Sequence, residues 1–426
     1  MNKSGQNSAV LVIGAGIAGI ESSLLLAKAG RKVYLVEKNP NIGGNVIKLE
    51  DAFPSMECVG CMMTPKLEDV LEDKNIELLR LSRVEAVSGS SGDFSVKIKR
   101  KAGYVDLESC IGCGACFDPC PVELDNEFEE RLSKRKAIYI PCGGTLPAVP
   151  VVDTENCLRF KGQDCNNCQE ACVFEAIDFN QQDEEIDIRV GAIIVATGFK
   201  SFDPSGISRY GYKKFDNVYS AMEFERMCSS NGPTDGQIVL KNGQQPKSMA
   251  IINCVGREEK GYCSSVCCMA ALKMAHFAKH KLPEIKAAQL YTDLSIPGKS
   301  SQKFYQEVKE GGVDFVRATV AEVSQSGNGL DIKYRSEDDK EVILTVDMVV
   351  LNPALEPSED SAELAQILSI PRGEGGFFSE KEPDLASVVT EREGIFIAGC
   401  AQSPKDIAET IAEAEAATGK VLAIRT

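Results

Sequence analysis

The sequence predicts an α/β fold with two dinucleotide-binding-type domains, the first of which is interrupted by a small α+β insert. Three observations indicate it: a strand–helix–strand unit with a glycine-rich turn near the start, two sets of closely spaced cysteines in the insert, and a second strand–turn–helix pattern beyond residue 247. The predicted segments are 1–103, 104–180, 181–246, 247–346 and 347–426. The first, third and last segments form the first domain, 104–180 is the insert, and 247–346 is the second domain.

The opening unit has the features of a dinucleotide-binding turn. The apolar run 9–13 predicts a strand, a helix is expected over Ile20–Ala29, and a second strand ends at an acidic residue. In such a unit glycines permit the tight turn, the approach of the pyrophosphate and close helix packing, and the acidic residue accepts from a ribose hydroxyl. The residues in these roles are Gly14, Gly16, Gly19 and Glu37.

Later features favour FAD over NAD as the dinucleotide. A glycine pair follows Glu37, and two later apolar strands end in small residues, which resembles the FAD-contacting strands of disulfide-reductase-like flavoproteins with two dinucleotide domains. Asp406 is expected to cap a closing helix over Ile407–Leu422. The further predicted cofactor contacts are Lys38, Gly43, Gly44, Ala196, Thr197, Gly198, Gly399, Cys400 and Ile407.

Eight of the seventeen cysteines have ferredoxin-type spacing. In such motifs the last cysteine of each set binds the cluster of the other set. Zinc suits isolated CxxC pairs, but not the CxxCxxCxxxCP run that ends at Pro121. The spacing therefore predicts one [4Fe–4S] cluster on Cys110, Cys113, Cys116 and Cys172, and another on Cys157, Cys165, Cys168 and Cys120. Between the sets we expect a charged helix over Glu127–Lys136 and an unligated Cys142.

The second domain lacks the glycine fingerprint of a nicotinamide site. A strand over Ser248–Asn253 and a helix over Met269–Lys279 flank the turn where that fingerprint would lie. Four thiolates on one such turn could hold a third [4Fe–4S] cluster, or two could be structural and two a redox pair. The cysteines in this turn are Cys254, Cys263, Cys267 and Cys268.

Cys58 and Cys61 form a separate CxxC pair shortly after the glycine pair. Three interpretations stay open for it. The pair could take electrons from the flavin and attack a disulfide, it could supply ligands to a cluster near the flavin, or it could be structural.

The composition excludes several function classes. A formal net charge of −16 argues against nucleic-acid partners and anionic membrane surfaces. No apolar run of about 18 residues is present, so no membrane span is expected. Clustered cysteines in a chain of this size indicate a reducing cytoplasm rather than a secreted, disulfide-linked protein. The two histidines, His276 and His280, lie in a helical stretch and have no metal-ligand spacing.

Together these motifs resemble the A subunit of CoB–CoM heterodisulfide reductase and its bacterial relatives. The resemblance runs over about residues 9–424. Among the matching stretches are Cys58–Pro65, Tyr104–Asp106, Arg135–Pro141, Gly232–Gly236, Cys254–Arg257, Cys267–Met269, Tyr291–Asp293 and Ala398–Gln402. Because the chain ends at Thr426, we expect a short form without the C-terminal ferredoxin domain of the methanogen proteins.

The resemblance implies an FAD- and iron–sulfur-containing electron-transfer subunit of a larger complex. Some members of this family split flavin electron pairs between ferredoxin and a disulfide or quinone-linked acceptor (electron bifurcation), whereas others only relay them. The implied partners are B- and C-type subunits, an iron–sulfur adaptor protein, and a hydrogenase or dehydrogenase module. Lys299 and Arg257 are candidate cations near the flavin or a cluster.

Three other interpretations remain. The A subunit of the quinone-interacting oxidoreductase of sulfate reducers is similar in its flavin core. A self-contained thiol–disulfide oxidoreductase would act through Cys58 and Cys61. A scaffold protein would use its clusters only to stabilise a hub for partner subunits.

Overall fold

The computed structural model describes residues 8–424, so the outermost residues of the predicted segments 1–103 and 347–426 lie outside it. The chain divides into two compact units. The first comprises the residues up to Ile47, Cys61–Gly198 and the residues from Pro357 onward, and the second comprises Lys48–Gly60 and Phe199–Glu356. Within the described range, no helix combines the length and hydropathy needed to cross a bilayer.

The regular elements are labelled in chain order. The strands are β1 Val10–Ile13, β2 Val33–Val36, β3 Asp51–Ala52, β4 Glu57–Cys58, β5 Ile76–Leu79, β6 Ser82–Ser90, β7 Asp93–Arg100, β8 Glu123–Asp125, β9 Lys134–Lys136, β10 Ile138–Tyr139, β11 Val151–Val152, β12 Glu184–Val190, β13 Ala192–Val195, β14 Phe199–Ser201, β15 Val218–Ser220, β16 Ser248–Val255, β17 Lys286–Tyr291, β18 Val313–Ser326, β19 Gly329–Ser336, β20 Glu341–Val346, β21 Met348–Pro353, β22 Leu355–Pro357 and β23 Ile395–Ile397. The α-helices are α1 Ile17–Lys28, α2 Val59–Glu72, α3 Asn167–Glu170, α4 Ala221–Cys228, α5 Arg257–Lys260, α6 Cys267–Lys281, α7 Lys299–Glu310, α8 Ser361–Leu368 and α9 Ile407–Ala423. Short 3₁₀ turns lie at Val46–Lys48, Pro204–Gly206, Ser208–Tyr210 and Gly399–Ala401.

The first unit is built on a five-stranded parallel sheet with the strand order β23–β13–β1–β2–β5. Its strands are continuous apolar runs because both faces of a parallel sheet are covered, and Leu11, Val12 and Val195 are fully buried. An antiparallel sheet, β12–β7–β6, contributes Phe94 and Val96 to the same core. The predicted closing helix is observed as α9, and Asp406 caps it by accepting from the amide of Glu409 (2.8 Å), as expected.

A small folded segment lies between β7 and β12, and its two ends pair with each other. Val105 and Ile177 form an antiparallel bridge, and the amide of Asp178 donates to the carbonyl of Tyr104 (3.1 Å). The predicted helix over Glu127–Lys136 is wrong, because β8 and β9 form an antiparallel hairpin there. Lys134 pairs across the hairpin with Asp125 at 2.6 Å, so charges that suggested a solvated helix face belong to a cross-strand pair instead.

The second unit contains a seven-stranded mixed sheet with the order β15–β21–β16–β17–β18–β19–β20. Neighbouring strands along β15–β21–β16–β17–β18 are parallel to each other. The pairs β18–β19 and β19–β20 are antiparallel. This arrangement differs from the predicted boundaries. Residues 199–246 and 347–356 belong to the second unit rather than to the first domain, because β15 pairs with β21 inside this sheet. Residues 48–60 join the second unit as well.

Candidate functional site: a dinucleotide cradle and three groups of cysteines

The turn between β1 and α1 accepts only glycine at two positions. Gly14 has φ +102°, and a Cβ on it would lie 2.4 Å from the carbonyl oxygen of Ala196. A Cβ on Gly19 would lie 1.8 Å from the carbonyl oxygen of Gly14. Gly16 differs, because the only neighbouring atom within 4 Å of an added Cβ is the Cα of Gly44, at 3.9 Å. The space above Gly16 is therefore a cradle that a side chain would fill and that a pyrophosphate could enter.

Glu37 holds this turn from the end of β2. One carboxylate oxygen accepts from the amide of Ala15 (2.8 Å) and the other from the amide of Asn39 (2.9 Å). Burial raises the pKa of Glu37, and the two amides offset part of that rise. Since each carboxylate oxygen has two acceptor sites, the group keeps capacity for a ribose hydroxyl.

Several of the remaining predicted contacts lie against the same turn. Gly43 donates to the carbonyl of Ala15 (2.7 Å). The hydroxyl oxygen of Thr197, just after β13, is buried and has no hydrogen-bond partner among residues 8–424. An orphaned buried hydroxyl beside an open cradle fits a polar ligand such as FAD. The ammonium of Lys38 instead pairs with Asp360 at 3.1 Å.

The end of β23 is held by a buried ion pair. The ammonium of Lys405 donates to both carboxylate oxygens of Glu413 (2.9 and 2.8 Å) and to the carbonyl of Gly399 (3.1 Å). Glu413 in turn accepts from the amide of Gly399 (2.8 Å). Next to it Cys400 is buried, and burial raises the pKa of its thiol to about 11. Ile407, half-buried, begins α9 directly after this clamp.

In the folded segment between β7 and β12, the structure brings the predicted second ligand set together. One small cavity, partly open to solvent, is lined by all four of these cysteines. Its other lining residues are mainly apolar. The four cysteines are Cys120, Cys157, Cys165 and Cys168. Cys120 thus lies with the cysteines of the later motif, as the crossed pattern requires.

Three cysteines of the first set lie in or against the core of this segment, namely Cys110, Cys116 and Cys172. The thiol of Cys116 interacts electrostatically with Cys110 and Cys172, as well as with Cys168 of the neighbouring set. Burial raises the pKa of Cys116 to about 12 and that of Cys168 to about 11. Thiolates this deep are unfavourable unless cations such as iron compensate them. Cys113 is exposed.

No three His, Cys, Asp or Glu side chains within residues 8–424 converge closely enough to enclose a single metal ion. An iron–sulfur cubane distributes its four thiolates over different irons. The metal ligands named from the sequence therefore remain predictions.

The third group of cysteines lies where β16 meets α6. A register shift between Ile252 and Val255 puts Cys254 in a left-handed conformation (φ +62°). Cys267 and Cys268 are buried in the first turn of α6. Cys267 interacts with Cys268, Cys254 and Cys263, and its hydrogen bond with Cys268 and its burial raise its pKa.

Hydrogen bonds around Cys268 favour its thiolate. The hydrogen bond with Cys267, together with the amide of Ser295 at 3.4 Å, lowers the pKa of Cys268 to about 7 against the effect of burial. Arg257 lies beside this group, where it hydrogen-bonds with Cys254 and pairs with Asp293 at 2.7 Å. Lys299, at the start of α7, is exposed.

The structure leaves the role of Cys58 and Cys61 open. Cys58 ends the short hairpin β3–β4, Cys61 lies in the first turn of α2, and both are exposed. The division into units passes between them. Neither forms a disulfide, and this holds for every cysteine of residues 8–424.

Sequence reasoning missed three charged residues next to these sites: Lys405, Glu413 and Arg80. Arg80 and Lys405 are buried (6% and 8% exposed), yet their sequence neighbours give no sign of it. The one available signal is position, since Lys405 lies between a small-residue strand end and the cap of α9.

Comparisons with known proteins agree with this architecture. Residues 9–122 match the family model of FAD dependent oxidoreductases. Among solved structures, Thermoplasma acidophilum thioredoxin reductase is similar with a TM-score of 0.53 and 13% identity over 97% of this chain and 96% of that chain. The Escherichia coli flavoprotein disulfide reductase RclA has a TM-score of 0.51 and 14% identity over 98% of this chain and 72% of that chain. At these identities the likeness shows the fold, which is that of flavoproteins with two dinucleotide domains.

Archaeal relatives are much more similar in sequence. The A subunit of the H(2):CoB-CoM heterodisulfide,ferredoxin reductase of Methanothermobacter thermautotrophicus is 40% identical over 96% of this chain and 63% of its own length. An iron-sulfur A subunit of the CoB--CoM heterodisulfide reductase of Methanopyrus kandleri is 42% identical over 97% of this chain and 63% of its own length. This chain thus spans less than two thirds of these relatives. With such identity along nearly all of its residues, the chain belongs to the family of heterodisulfide reductase A subunits.

Proposed function

We propose that the chain is an FAD- and [4Fe–4S]-containing oxidoreductase subunit that transfers electrons within a heterodisulfide reductase-like complex of the cytoplasm. When bound, FAD exchanges electrons in pairs or singly, and each cluster carries one electron at a time. One observation carries this proposal. The dinucleotide cradle and eight cysteines lie in a single compact unit, where the amide of Ile42 beside the cradle donates to the carbonyl of Leu146 in the cysteine-rich segment (2.9 Å).

The residues around the cradle would hold the dinucleotide. The open space at Gly16 leaves room for the pyrophosphate, Glu37 orients a ribose, and Thr197 offers an unpaired hydroxyl. The 104–180 insert would form a two-cluster ferredoxin domain, with the crossed ligand sets supported by the shared cavity and by the interactions of Cys116. The group at β16 and α6 would hold a third cluster, which the mutual interactions of its cysteines favour.

The surface next to the first ligand set supports electron exchange with partner subunits. Cys113 is exposed, and large apolar side chains beside the ligands are exposed as well. These side chains are Ile111, Val173 and Phe174, which are 66%, 83% and 44% exposed. Exposed apolar groups of this kind mark interaction sites. The partners would be B- and C-type subunits, an iron–sulfur adaptor, and a hydrogenase or dehydrogenase module, with pair splitting towards ferredoxin as one mode.

A second function is favoured by one observation. Both thiols of the CxxC pair, Cys58 and Cys61, are exposed and so accessible to a disulfide substrate. If the chain is a self-contained thiol–disulfide oxidoreductase, the isolated protein reduces a disulfide and Cys58→Ser abolishes that activity.

The main proposal is tested by cofactor stoichiometry. We expect the anaerobically purified chain to contain one FAD and about twelve irons with equal acid-labile sulfide, four for each of three cubanes. About eight irons would confine the clusters to the insert, and no iron would contradict the proposal.

The first ligand set is tested with a matched pair of variants. Cys113→Ala should remove about four irons and leave the flavin, because it deletes a ligand of one cubane. In the assembled complex it should also slow electron delivery. Cys142→Ala, which changes a half-buried cysteine of the same segment outside both sets, should leave iron and flavin unchanged. Equal iron in the two variants would exclude Cys113 as a ligand.

A further inference from the structure

Arg80 is a buried cation without a carboxylate partner. It lies between β5 and β6, is 6% exposed, and forms no ion pair with any described residue. One guanidinium nitrogen donates to the carbonyls of Pro40 (3.2 Å) and Val149 (3.4 Å). Carbonyls satisfy donors but do not neutralise charge, and an unpaired buried charge is rare because its desolvation is costly. Burial lowers the pKa of Arg80 to about 10, so the group stays charged at neutral pH.

Arg80 connects the loops of the two predicted redox sites. Pro40 lies in the loop from Glu37 to Gly43 beside the dinucleotide cradle. Val149 belongs to the apolar core that contains Cys116 and against which Cys110 packs. Its neighbour Ala148 abuts the first ligand loop, since a Cβ on Gly112 would lie 2.5 Å from the carbonyl oxygen of Ala148.

The negative charge that acts on Arg80 comes from Cys110, a proposed ligand of the first cluster. Of the cysteines in the described range, Cys110 is the one whose charge acts on Arg80. A cluster with four thiolates carries net negative charge, so it would supply the counter-charge that the protein itself does not provide.

We propose that Arg80 is a positioning residue whose fixed charge raises the reduction potential of the [4Fe–4S] cluster on Cys110, Cys113, Cys116 and Cys172. The inference rests on the proposed function, because it needs that cluster. An added electron makes the cluster more negative, and a nearby cation in a poorly solvated site stabilises this reduced form more than the oxidised one. Arg80 would thereby favour delivery of electrons to this cluster, of which the exposed Cys113 is a proposed ligand.

Arg80→Gln tests the inference because it keeps amide donors for the two carbonyls and removes the charge. The readout is an EPR-monitored potentiometric titration of the anaerobically purified chain, with Cys113→Ala identifying which signal belongs to the first set. We expect the equilibrium constant for one-electron reduction of that cluster to fall at least tenfold, which is about 59 mV. For the other cluster of the insert, the same equilibrium constant should change less than threefold.

Two further variants separate charge from packing. Arg83→Gln removes an exposed arginine from β6, three residues away along the chain. It should change the equilibrium constant for reduction of neither insert cluster by more than threefold. Arg80→Lys keeps the charge and loses the fork geometry of the guanidinium. The cluster should therefore be retained, and its equilibrium constant for one-electron reduction should stay within threefold of that in the unaltered chain. If Arg80→Gln loses the cluster while Arg80→Lys keeps it with an unchanged reduction potential, the result also supports a role for the positive charge at residue 80.

Three results would overturn the inference. They are an unchanged potential in Arg80→Gln, an equal shift of both clusters, or loss of the cluster in Arg80→Lys as well, which would indicate a purely structural role. If the unaltered chain shows no EPR-active cluster in the insert, the proposed function fails and the inference fails with it. A normal spectrum of the unaltered chain with no shift in Arg80→Gln rejects the inference alone.

Discussion

At the scale of single residues, buried charges hold the flavin side of the molecule in place. Lys405 and Glu413 have side chains that are 6% and 19% exposed and pair at 2.8 Å. Both also bond to Gly399, so the ion pair connects the end of β23 to α9. Breaking one half of such a pair leaves an uncompensated charge. The pair therefore secures the predicted contacts Gly399 and Cys400.

Lys405→Met should lower the free energy of unfolding by about 3 kcal/mol and reduce the flavin content, because Glu413 is left buried without its cation. Denaturant unfolding and flavin absorbance measure the two effects. Lys420→Met removes an exposed lysine from α9, the helix that carries Glu413, and should cost less than about 0.5 kcal/mol. Equal stability of the two variants would show that the ion pair contributes little.

At the scale of elements, the β1–α1 turn combines two different uses of glycine. Gly14 and Gly19 are needed by the fold itself, because a Cβ at either position would collide with backbone. Gly16 has free space around it and is needed only if something occupies the cradle. A substitution at Gly16 therefore tests whether glycine is needed there for ligand binding, separately from any need for glycine in folding.

Gly16→Ala should fold with an unchanged melting temperature but bind FAD at least tenfold more weakly, about 1.4 kcal/mol, because the methyl group occupies the path of the pyrophosphate. Equilibrium dialysis of FAD with the deflavinated chain measures the effect. Gly419→Ala, in α9 and with no neighbouring atom within 4 Å of an added Cβ, should leave the affinity unchanged. Unaltered FAD affinity in Gly16→Ala would place the dinucleotide elsewhere.

At the scale of the whole molecule, the proposed cofactor sites divide between two units. The cradle and the eight ferredoxin-type cysteines belong to the first unit, whereas Cys254, Cys263, Cys267 and Cys268 belong to the second. The seven-stranded sheet that carries the second group has its own core of residues such as Ile252, Leu290 and Val349. Each site is therefore expected to depend on its own core.

Cys263→Ala should remove about four irons and leave both the flavin and the two insert clusters, since Cys263 is an exposed cysteine of the second unit and a proposed ligand of the third cluster. Iron and sulfide analysis with EPR measures this outcome. Cys142→Ala serves again as the control. Loss of flavin together with the iron would mean that the two units depend on each other, and full iron would assign the group to thiol chemistry.

Local patterns allowed much of the fold to be predicted. The β1–α1–β2 unit, β13, β23, α6 and α9 follow the predicted runs, because apolar periodicity, glycine turns and a capping residue act within a few neighbours along the chain. Long-range pairing was not readable in this way. Residues 127–136 have the charge pattern of a helix, but Lys134 pairs across a hairpin with Asp125, and Arg135 pairs with Asp153. The boundary at 246 was misplaced for a similar reason, since β15 pairs with a strand about 130 residues away.

Residue types and short spacings were enough to identify the family and to predict the kinds of chemistry, a dinucleotide turn and a crossed ferredoxin spacing. These features can be read directly along the chain. The folded structure was needed to show which thiols share a cavity, that Lys405 is clamped to Glu413, and that Arg80 is buried beside Cys110. The physical reason is that burial and electrostatic partners arise from segments far apart in the chain, so they exist only once the cores have formed.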